Sequence, residues 1–236
     1  MLKWFKKKSD LRCAAIIAAG GSGVRMGGNG KQLIPICGMP IIAKTLLAFE
    51  KAAGIEAVVV AAREEEMPEI ARIVADYRIS KVIEMVRGGD NRIRSVAAGL
   101  AAVPKEYELI AIHDGARPLV SPELIDKVVE AAAASGAAAA AVSPIDTVRR
   151  KNGAKAGEDL DRSELVLMQT PQAFGREEYD VAIAYALTQD REFTDDVSVY
   201  RTLKNEVTLV EGEGTNIKIT TPQDILMAEL FLEELL

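Results

Sequence analysis

Residues 14–28 have the sequence Ala-Ala-Ile-Ile-Ala-Ala-Gly-Gly-Ser-Gly-Val-Arg-Met-Gly-Gly, in which an apolar run passes directly into a glycine-rich segment. A short apolar run that ends at glycines is typical of a strand buried on both faces of a sheet. Glycines after such a strand allow the backbone to approach a ligand and to turn its N–H groups toward an anion. We therefore interpret this stretch as a central strand followed by an anion-binding loop. For the loop taken alone, a flexible glycine-rich connection stays open as the alternative.

Basic residues in and after the loop narrow the choice of ligand that it could bind. Arg25 and Lys31 add positive charge to a segment already rich in donors, so a triphosphate is the natural occupant. The Walker motif is excluded because no Gly-Lys-Ser/Thr follows at the required spacing. The dinucleotide fingerprint is unconvincing, because Gly21 and Gly23 are not followed by a glycine at Met26.

Beyond this stretch, apolar runs alternate with helical patterns along the chain. This alternation predicts an α/β fold with a mostly parallel twisted sheet and helices on both faces. In such sheets ligands bind outside the carboxyl ends of the strands, and the polar segments 20–31, 87–95 and 113–118 fall there. After the first strand, the predicted strands cover 57–61, 81–86, 107–113 and 137–142, and the predicted helices cover 39–53, 64–78, 92–103, 122–134 and 222–236.

One polar segment breaks the alternation. Residues 146–164 are charged and contain Asn152-Gly153, a strong hairpin-turn signal. A long insertion in a compact domain is usually functional or disordered. We interpret it as a projecting β-arm.

Composition limits the class of protein. A chain of 236 residues with 49% hydrophobic residues suits one globular domain. The net charge of −6 argues against a nucleic-acid partner. Two cysteines make no disulfide framework and favour a reducing, cytoplasmic location. No apolar run reaches the roughly 18 residues of a membrane span.

The first twelve residues differ in charge from the rest of the chain. Five basic residues there accompany one acidic residue, and Trp4 and Phe5 lie among them. A membrane or nucleic-acid contact is one interpretation. We favour a short solvated extension over residues 1–12, followed by a single domain over residues 13–236.

Several motifs in a fixed order are more specific than any one of them. They are 20–26 with Lys31-Gln32-Leu33, Gly88-Gly89-Asp90 with Arg92 and Ser95, 113–118, Asp146-Thr147, Asp161-Arg162, Thr170-Pro171-Gln172, 194–196 and 216–220. Together they resemble the signature of sugar-phosphate nucleotidyltransferases, and in this order they resemble the 2-C-methyl-D-erythritol 4-phosphate cytidylyltransferase family. The resemblance covers nearly all of the chain apart from the basic extension, and it implies a Rossmann-like nucleotidyltransferase fold.

The resemblance implies an activity. The chain would transfer CMP from CTP to 2-C-methyl-D-erythritol 4-phosphate, giving 4-diphosphocytidyl-2-C-methyl-D-erythritol and pyrophosphate, in non-mevalonate isoprenoid biosynthesis. A cytidylyltransferase for another polyol phosphate, such as ribitol 5-phosphate, is the alternative. A non-catalytic nucleotide sensor is a hypothesis of another class, although a sensor would be expected to lose Arg25, Lys31 or Lys218. A membrane-associated module driven by the basic extension is a weaker one.

The resemblance also implies roles for particular residues. Catalytic roles fall on Arg25, Lys31 and Lys218, and nucleotide binding falls on Ala19, Gly20, Gly21, Ser22, Gly23, Gly89, Asp90, Ser95 and Gly115. Acceptor binding falls on Asp114, Arg117 and Thr170, together with Thr147 and Arg162 of a second subunit. The expected state is a homodimer through the 146–166 arm. Mg²⁺ or another divalent cation would be held mainly through the CTP phosphates, with no protein residue assigned as a metal ligand.

Two other polar features have structural interpretations. His113 has no partner at metal-ligand spacing, so we expect it to orient the loop that follows it. We expect Asp195 and Asp196 to cap the following helix.

Overall fold

A computed structural model describes residues 11–21 and 30–234. Its strands are β1 (Cys13–Ala18), β2 (Pro35–Ile36), β3 (Met39–Pro40), β4 (Ala57–Ala62), β5 (Val82–Arg87), β6 (Leu109–Asp114), β7 (Ala137–Val142), β8 (Arg149–Asn152), β9 (Lys155–Asp159), β10 (Leu167–Gly175) and β11 (Thr208–Glu211). Its α-helices are α1 (Ile41–Lys51), α2 (Met67–Asp76), α3 (Arg92–Ala102), α4 (Pro122–Ser135), α5 (Arg176–Ala186), α6 (Asp196–Tyr200) and α7 (Pro222–Glu234).

Seven strands form one sheet in the order β5-β4-β1-β6-β10-β7-β11. The pairs β1–β4, β1–β6, β4–β5 and β7–β11 are parallel, and β10 is antiparallel to both β6 and β7. The predicted mostly parallel α/β sheet is therefore confirmed. Because β4 and β5 lie on one side of β1 and β6 lies on the other, the strand order reverses between β1 and β6. A crevice opens at such a reversal, outside the carboxyl ends of the strands.

Side chains of β1 alternate between two cores. Cys13, Ala15 and Ile17 pack with α1, α2 and α4 on one face, while Ala14 and Ile16 pack with α3, α5 and α6 on the other. This two-sided burial explains why the strand is apolar at every position rather than at every second one. It confirms the prediction of helices on both faces.

Several parts of the chain differ from the sequence prediction, and neither α5 nor β11 was predicted. The predicted helix 39–53 begins at Ile41, because Met39 and Pro40 pair with residues 35–36 in a short hairpin. Strand β10 was not predicted, since Pro171 argues against a central strand. The structure accommodates this proline where the pairing register with β7 shifts between Met168 and Gln172.

The predicted β-arm contains a separate antiparallel hairpin. Strands β8 and β9 pair with each other and not with the main sheet. Most of their side chains are exposed. Ile145 before the hairpin is 87% exposed, and Leu167 after it is 54% exposed. Its role as a dimerisation arm stays a prediction.

Helix α7 packs on a small third core formed by Ile36, Ile41, Leu119 and Ile219.

None of the helices within 11–21 and 30–234 has the length and apolar character needed to cross a membrane. The interpretation of the basic extension concerns residues that lie, up to residue 10, outside the described part of the chain.

Helix α3 lies very close to β1 at one point. A Cβ atom added to Gly99 would stand 2.6 Å from Ile16 Cγ2, which is shorter than any ordinary contact. This glycine therefore allows α3 to approach the sheet, and the approach places the amino end of α3 beside the carboxyl end of β1.

We predict that Gly99→Ala destabilises the fold although alanine is the better helix former. Overpacking against Ile16 should lower the free energy of unfolding by about 1–3 kcal/mol, which exceeds the roughly 1 kcal/mol gained in helix propensity. Urea unfolding measures the difference. Gly214→Ala is the control, because an added Cβ meets no atom of the described chain within 4 Å there. Equal or greater stability of Gly99→Ala would contradict the prediction.

Candidate active site

A cavity of about 420 Å³ opens at the reversal of strand order. Three loops line it, and they follow the carboxyl ends of β1, β5 and β6. The first contributes Gly20 and Gly21, the second residues 89–92 and Ser95, and the third Asp114 and Ala116. Lys31, Gln32, Lys218 and Thr220 complete the lining. The predicted position of the site is thus the position of the larger cavity.

The glycine-rich loop is described only at its two ends. Gly20 and Gly21 line the cavity at one end, and Lys31 lines it from a 3-10 turn over Lys31–Leu33 at the other. Ser22, Gly23 and Arg25 lie outside the described residues. A backbone and a lysine on the same cavity wall are suited to an anionic ligand.

The loop after β5 is wound tightly onto the start of α3. A Cβ atom on Gly89 would stand 2.4 Å from Arg94 Cβ, so this position requires glycine. The Gly89 N–H donates to Ser95 Oγ at 3.1 Å, and Ser95 Oγ donates to the Asn91 carbonyl at 2.9 Å. Asn91 Oδ1 caps the helix by accepting from Arg94 N–H at 3.0 Å. The predicted residues Gly89, Asp90 and Ser95 therefore share one rigid wall of the cavity.

Asp114 is a buried carboxylate that three cations contact. Lys218 Nζ lies 2.8 Å and Arg117 Nε lies 3.5 Å from Asp114 Oδ2, while Arg92 Nε donates to Asp114 Oδ1 at 3.1 Å. Burial by itself raises the pKa of Asp114, but the charges of Arg92, Lys218 and Arg117 outweigh burial and hold that pKa well below its usual range. Asp114 is therefore ionised at neutral pH, and it fixes the cations around it.

His113 orients the loop that follows β6, as the sequence predicted. Its Nε2 lies 3.2 Å from the Arg117 carbonyl, and its Nδ1 lies 3.0 Å from Thr170 Oγ1. The same Thr170 oxygen accepts from the Asp114 N–H at 3.1 Å. Burial lowers the pKa of His113 to about 3, so the imidazole is neutral at physiological pH. A neutral ring donates from one nitrogen and accepts at the other, which suits these two partners.

A second, smaller cavity of about 90 Å³ adjoins the first. Its walls include the predicted acceptor residues Asp114, Arg117 and Thr170. Arg92, Asp114 and Lys218 line both cavities. A ligand in the larger cavity and a small ligand in the smaller one would therefore meet at these three side chains.

Two predicted nucleotide contacts lie behind the cavity wall. Ala19 is fully buried in the core, and its N–H donates to a carbonyl of β4 at 2.8 Å. The Gly115 N–H donates to the Ala18 carbonyl at 2.9 Å, and the Gly115 carbonyl accepts from Thr45 Oγ1. The sheet ladder continues for one residue beyond β1 and β6, so these N–H groups are occupied within the protein. A direct ligand contact at Ala19 or Gly115 stays a prediction.

Thr147 and Arg162 are not brought to the site within one chain. Both are exposed on the segment that carries the hairpin, and neither lines either of the two cavities described above. Arg162 Nη1 donates to the Ile145 carbonyl. Their exposed positions are compatible with the role in a neighbouring subunit's site that the resemblance implies.

Of the two residues predicted to cap α6, one does so. Asp195 Oδ1 accepts from Ser198 N–H at 2.9 Å in a capping box. The prediction is wrong for Asp196, because its carboxylate is buried beside Arg92 with Nη2 at 2.7 Å. Arg92 is the first residue of α3, where the helix dipole disfavours a cation, so a nearby anion could be expected from the sequence, although not which one. No role was assigned to Arg92 from the sequence.

The side chains around the larger cavity indicate how a metal ion could be bound there. Within residues 11–21 and 30–234, no group of three or more His, Cys, Asp or Glu side chains could hold one. Asp90 and Asp114 are the carboxylates on the described cavity wall, and Asp114 already faces three cations. This set fits Mg²⁺ carried by phosphate oxygens and water rather than a cation in an all-protein cage.

The fold and the site define an α/β nucleotidyltransferase class of enzyme. It has a nucleotide-sized cavity and a smaller cavity suited to an anion, and Arg92 and Lys218 line both. The family model for 2-C-methyl-D-erythritol 4-phosphate cytidylyltransferase (IspD) matches residues 13–234. This chain belongs to that family, so the resemblance seen in the sequence is confirmed.

Individual relatives agree with the family match. The chain is 40% identical over 220 residues to the 2-C-methyl-D-erythritol 4-phosphate cytidylyltransferase of Bacillus velezensis, with 92% of this chain and 94% of the relative covered. It is 41% identical over 225 residues to that of Shouchella clausii, with 94% and 96% covered.

Solved structures agree as well. The 4-diphosphocytidyl-2C-methyl-D-erythritol synthase structure from Anaerococcus prevotii superposes with a TM-score of 0.84 at 30% identity, covering 94% of this chain and 96% of the other. The 2-C-methyl-D-erythritol 4-phosphate cytidylyltransferase structure from Thermus thermophilus gives a TM-score of 0.78 at 33% identity, with 94% and 100% covered.

We predict that His113 makes the fold less stable in mild acid. Its pKa is about 3 when folded and about 6.5 when unfolded, so the unfolded chain binds more protons between these values. Stability should therefore fall as pH decreases below 6.5, by about 2 kcal/mol at pH 5. His113→Gln should lose this part of the pH dependence.

Urea unfolding at pH 7 and pH 5 checks this prediction. The chain has one histidine, and the contribution of Asp114, whose pKa is lowered, is lost only below the ordinary carboxyl range near pH 4. Burial also raises the pKa of Glu66, which favours the folded state as pH falls and so opposes the effect of His113. The difference between wild type and His113→Gln therefore gives the part that belongs to His113. Parallel decreases in wild type and His113→Gln would rule out the buried neutral imidazole as the cause.

Proposed function

We propose that this site transfers CMP from CTP to 2-C-methyl-D-erythritol 4-phosphate and releases pyrophosphate. Family membership supports the reaction. The observation that carries the assignment to this site is that two adjoining cavities share Arg92, Asp114 and Lys218. CTP in the larger cavity and the acceptor phosphate in the smaller one would place the reacting groups beside Lys218.

The reaction asks for charge neutralisation more than for proton transfer. An oxygen of the acceptor phosphate attacks the α-phosphorus of CTP, and the bond from that phosphorus to the bridging oxygen of the β-phosphate breaks. The electron pair leaves with pyrophosphate. A phosphate monoester is already a nucleophile, so positioning and cations supply most of the catalysis. This agrees with a site whose one nearby histidine is neutral and buried.

Different basic side chains would bind different phosphate groups of the two substrates. Lys31 stands at the described end of the glycine-rich loop and would hold the triphosphate, with Arg25 as its expected partner. Lys218 is 39% exposed and contacts Asp114, so its ammonium can reach both cavities. We assign Lys31 and Lys218 to the charge that develops around the α-phosphate. Asp90 and Ser95, with Gly89, would contact the cytosine and the ribose.

A divalent cation, usually Mg²⁺, would enter with the CTP phosphates. When bound, it neutralises phosphate charge. The shortage of carboxylates on the described cavity wall supports a cation held by the nucleotide, as argued above. Chelation by EDTA should therefore abolish turnover without unfolding the protein.

The acceptor is proposed on the family match and on the smaller cavity. Asp114, Arg117 and Thr170 line it, and they offer a carboxylate and a guanidinium to a polyol and its phosphate. Pyrophosphate release from CTP with 2-C-methyl-D-erythritol 4-phosphate, run beside ribitol 5-phosphate and other nucleoside triphosphates, tests the substrate pair. Release with ribitol 5-phosphate alone would overturn the assignment of the acceptor. The cytoplasmic location stays a prediction from the sequence.

We predict that Lys31→Ala and Lys218→Ala each lower kcat by about 10²–10³, because each removes a preorganised donor from the developing charge. Initial rates of pyrophosphate release measure the loss. Lys127→Ala on α4 is the matched control, since Lys127 is exposed and lines neither cavity. Wild-type rates for Lys218→Ala would refute its catalytic role.

We also propose a homodimer in which the 146–166 arm of one subunit completes the acceptor site of the other. The exposed positions of Thr147 and Arg162 on a separate hairpin support this arrangement, as do the exposed apolar residues Ile145 and Leu167 at its base. Exposed apolar residues at the base of a separate hairpin are suited to contact with another molecule.

Subunit mixing tests the shared site. Arg162→Ala and Lys218→Ala should each be nearly inactive alone, because each spoils every site. A mixed dimer carries one site with both residues intact, so free exchange should restore about a quarter of wild-type activity. Mixing Lys218→Ala with Lys31→Ala is the control. Both residues line the cavity of one chain, so every site of this mixed dimer lacks one of them and activity should stay low. Equally low activity of the Arg162→Ala and Lys218→Ala mixture, under conditions in which subunits exchange, would contradict an exchanged arm.

A further inference from the structure

A chain of polar contacts runs from the candidate site into the protein interior. Lys218 Nζ lies 2.8 Å from Asp114 Oδ2, and Arg92 Nε donates to Asp114 Oδ1 at 3.1 Å. Arg92 Nη2 lies 2.7 Å from Asp196 Oδ2, and the Tyr179 hydroxyl donates to Asp196 Oδ1 at 2.6 Å. Asp196 and Tyr179 are fully buried and line neither cavity. We call these two residues the interior anchor.

Arg92 occupies a position that is unfavourable for a cation. It is the first residue of α3, where the helix dipole is positive, and the first turn contains no acidic residue. Burial by itself lowers the pKa of Arg92, but Asp196 and Asp114 outweigh burial and raise it. Two carboxylates from different elements therefore hold this guanidinium, and one of them belongs to the interior anchor.

In the planar guanidinium of Arg92, the direction of the Nη2–H groups determines the direction of the Nε–H group. The contact of Nη2 with Asp196 is an ion pair without hydrogen-bond geometry. Because the guanidinium is planar and rigid, holding Nη2 beside Asp196 also limits the direction in which Nε can point toward Asp114. Arg92 then takes one oxygen of Asp114, and the other oxygen remains for Lys218. Without Asp196, the fork could pair with both oxygens of Asp114 or turn to a substrate phosphate. Either change would alter the carboxylate that the smaller cavity presents.

We propose that Asp196 and Tyr179 are positioning residues for the acceptor. They hold one side of the Arg92 guanidinium in the interior. Arg92 then contacts only one oxygen of Asp114, and the other oxygen can contact Lys218 and the acceptor. This inference rests on the proposed function, because it takes Asp114 as an acceptor-binding residue. Neither residue touches a substrate, so their effect passes through Arg92.

Asp196→Asn is the direct test. The amide keeps the shape of the side chain and can still accept from Tyr179, but it removes the charge beside Arg92. We expect the KM for 2-C-methyl-D-erythritol 4-phosphate to rise by about 10- to 100-fold, as for a misplaced positioning group. The dissociation constant of CTP, measured by calorimetry, should change far less. An unchanged acceptor KM in a folded Asp196→Asn variant would overturn the proposal.

A double-variant comparison tests the route through Arg92. If Asp196 acts by holding Arg92, then adding Asp196→Asn to an Arg92→Gln enzyme should raise the acceptor KM little further. Independent, multiplying effects would overturn the proposal. Wild-type enzyme is run in the same series, and a wild type that releases no pyrophosphate would refute the proposed function instead.

Two tyrosines provide a milder matched pair. The rings of Tyr179 and Tyr200 both pack on Phe174, with centroid distances of 4.8 and 4.9 Å. Only the Tyr179 hydroxyl contacts Asp196 among the hydrogen bonds of the described residues. Tyr179→Phe should raise the acceptor KM several-fold, and Tyr200→Phe should leave it unchanged, with thermal unfolding showing that both fold. Equal effects of the two substitutions would overturn the proposal.

Discussion

The buried carboxylate of Asp114 is the group on which the rest of the site depends. An unpaired charge at this depth would be too costly to remain ionised. Arg92 from α3, Arg117 from the loop after β6 and Lys218 from the segment before α7 together compensate it. One anion thereby gathers three cations that would otherwise repel one another, and it holds them where the two cavities adjoin.

The sheet supplies the frame for this arrangement. The reversal of strand order between β1 and β6 creates the crevice, and the close contact of Gly99 with Ile16 brings the start of α3 to its edge. His113 and Thr170 then fix the backbone on either side of Asp114. A reaction between two phosphate compounds needs little more than such a rigid set of charges. Such a site has no need of a catalytic histidine, and the one histidine of this chain is buried and neutral.

Much of the fold was accessible from the sequence, because its signals are local. The apolar run 57–61 predicts a buried strand, which the structure extends by one residue, and Ser121-Pro122 marks the start of α4. Strand β10 escaped prediction because Pro171 contradicts a central strand, and its bulge depends on the neighbouring β7. Lys31 was found from its charge after the glycine-rich loop, and Asp90 and Lys218 were found by resemblance. The structure brings all three to one cavity. The pairing of Arg92 with Asp196 could not be predicted, because it joins elements distant in the chain.

The distance along the chain between partners has a consequence for the order in which the protein is made. The Arg117 guanidinium donates to the Asn216 carbonyl across 99 residues, and Lys218 and α7 belong to the last part of the chain. A ribosome releases the glycine-rich loop and the central strands long before it releases this closing segment. The sheet can begin to form during synthesis, whereas the paired cavities exist only once the carboxyl-terminal part has docked. A nascent chain is therefore a fold without an active site until Lys218 and α7 have left the ribosome.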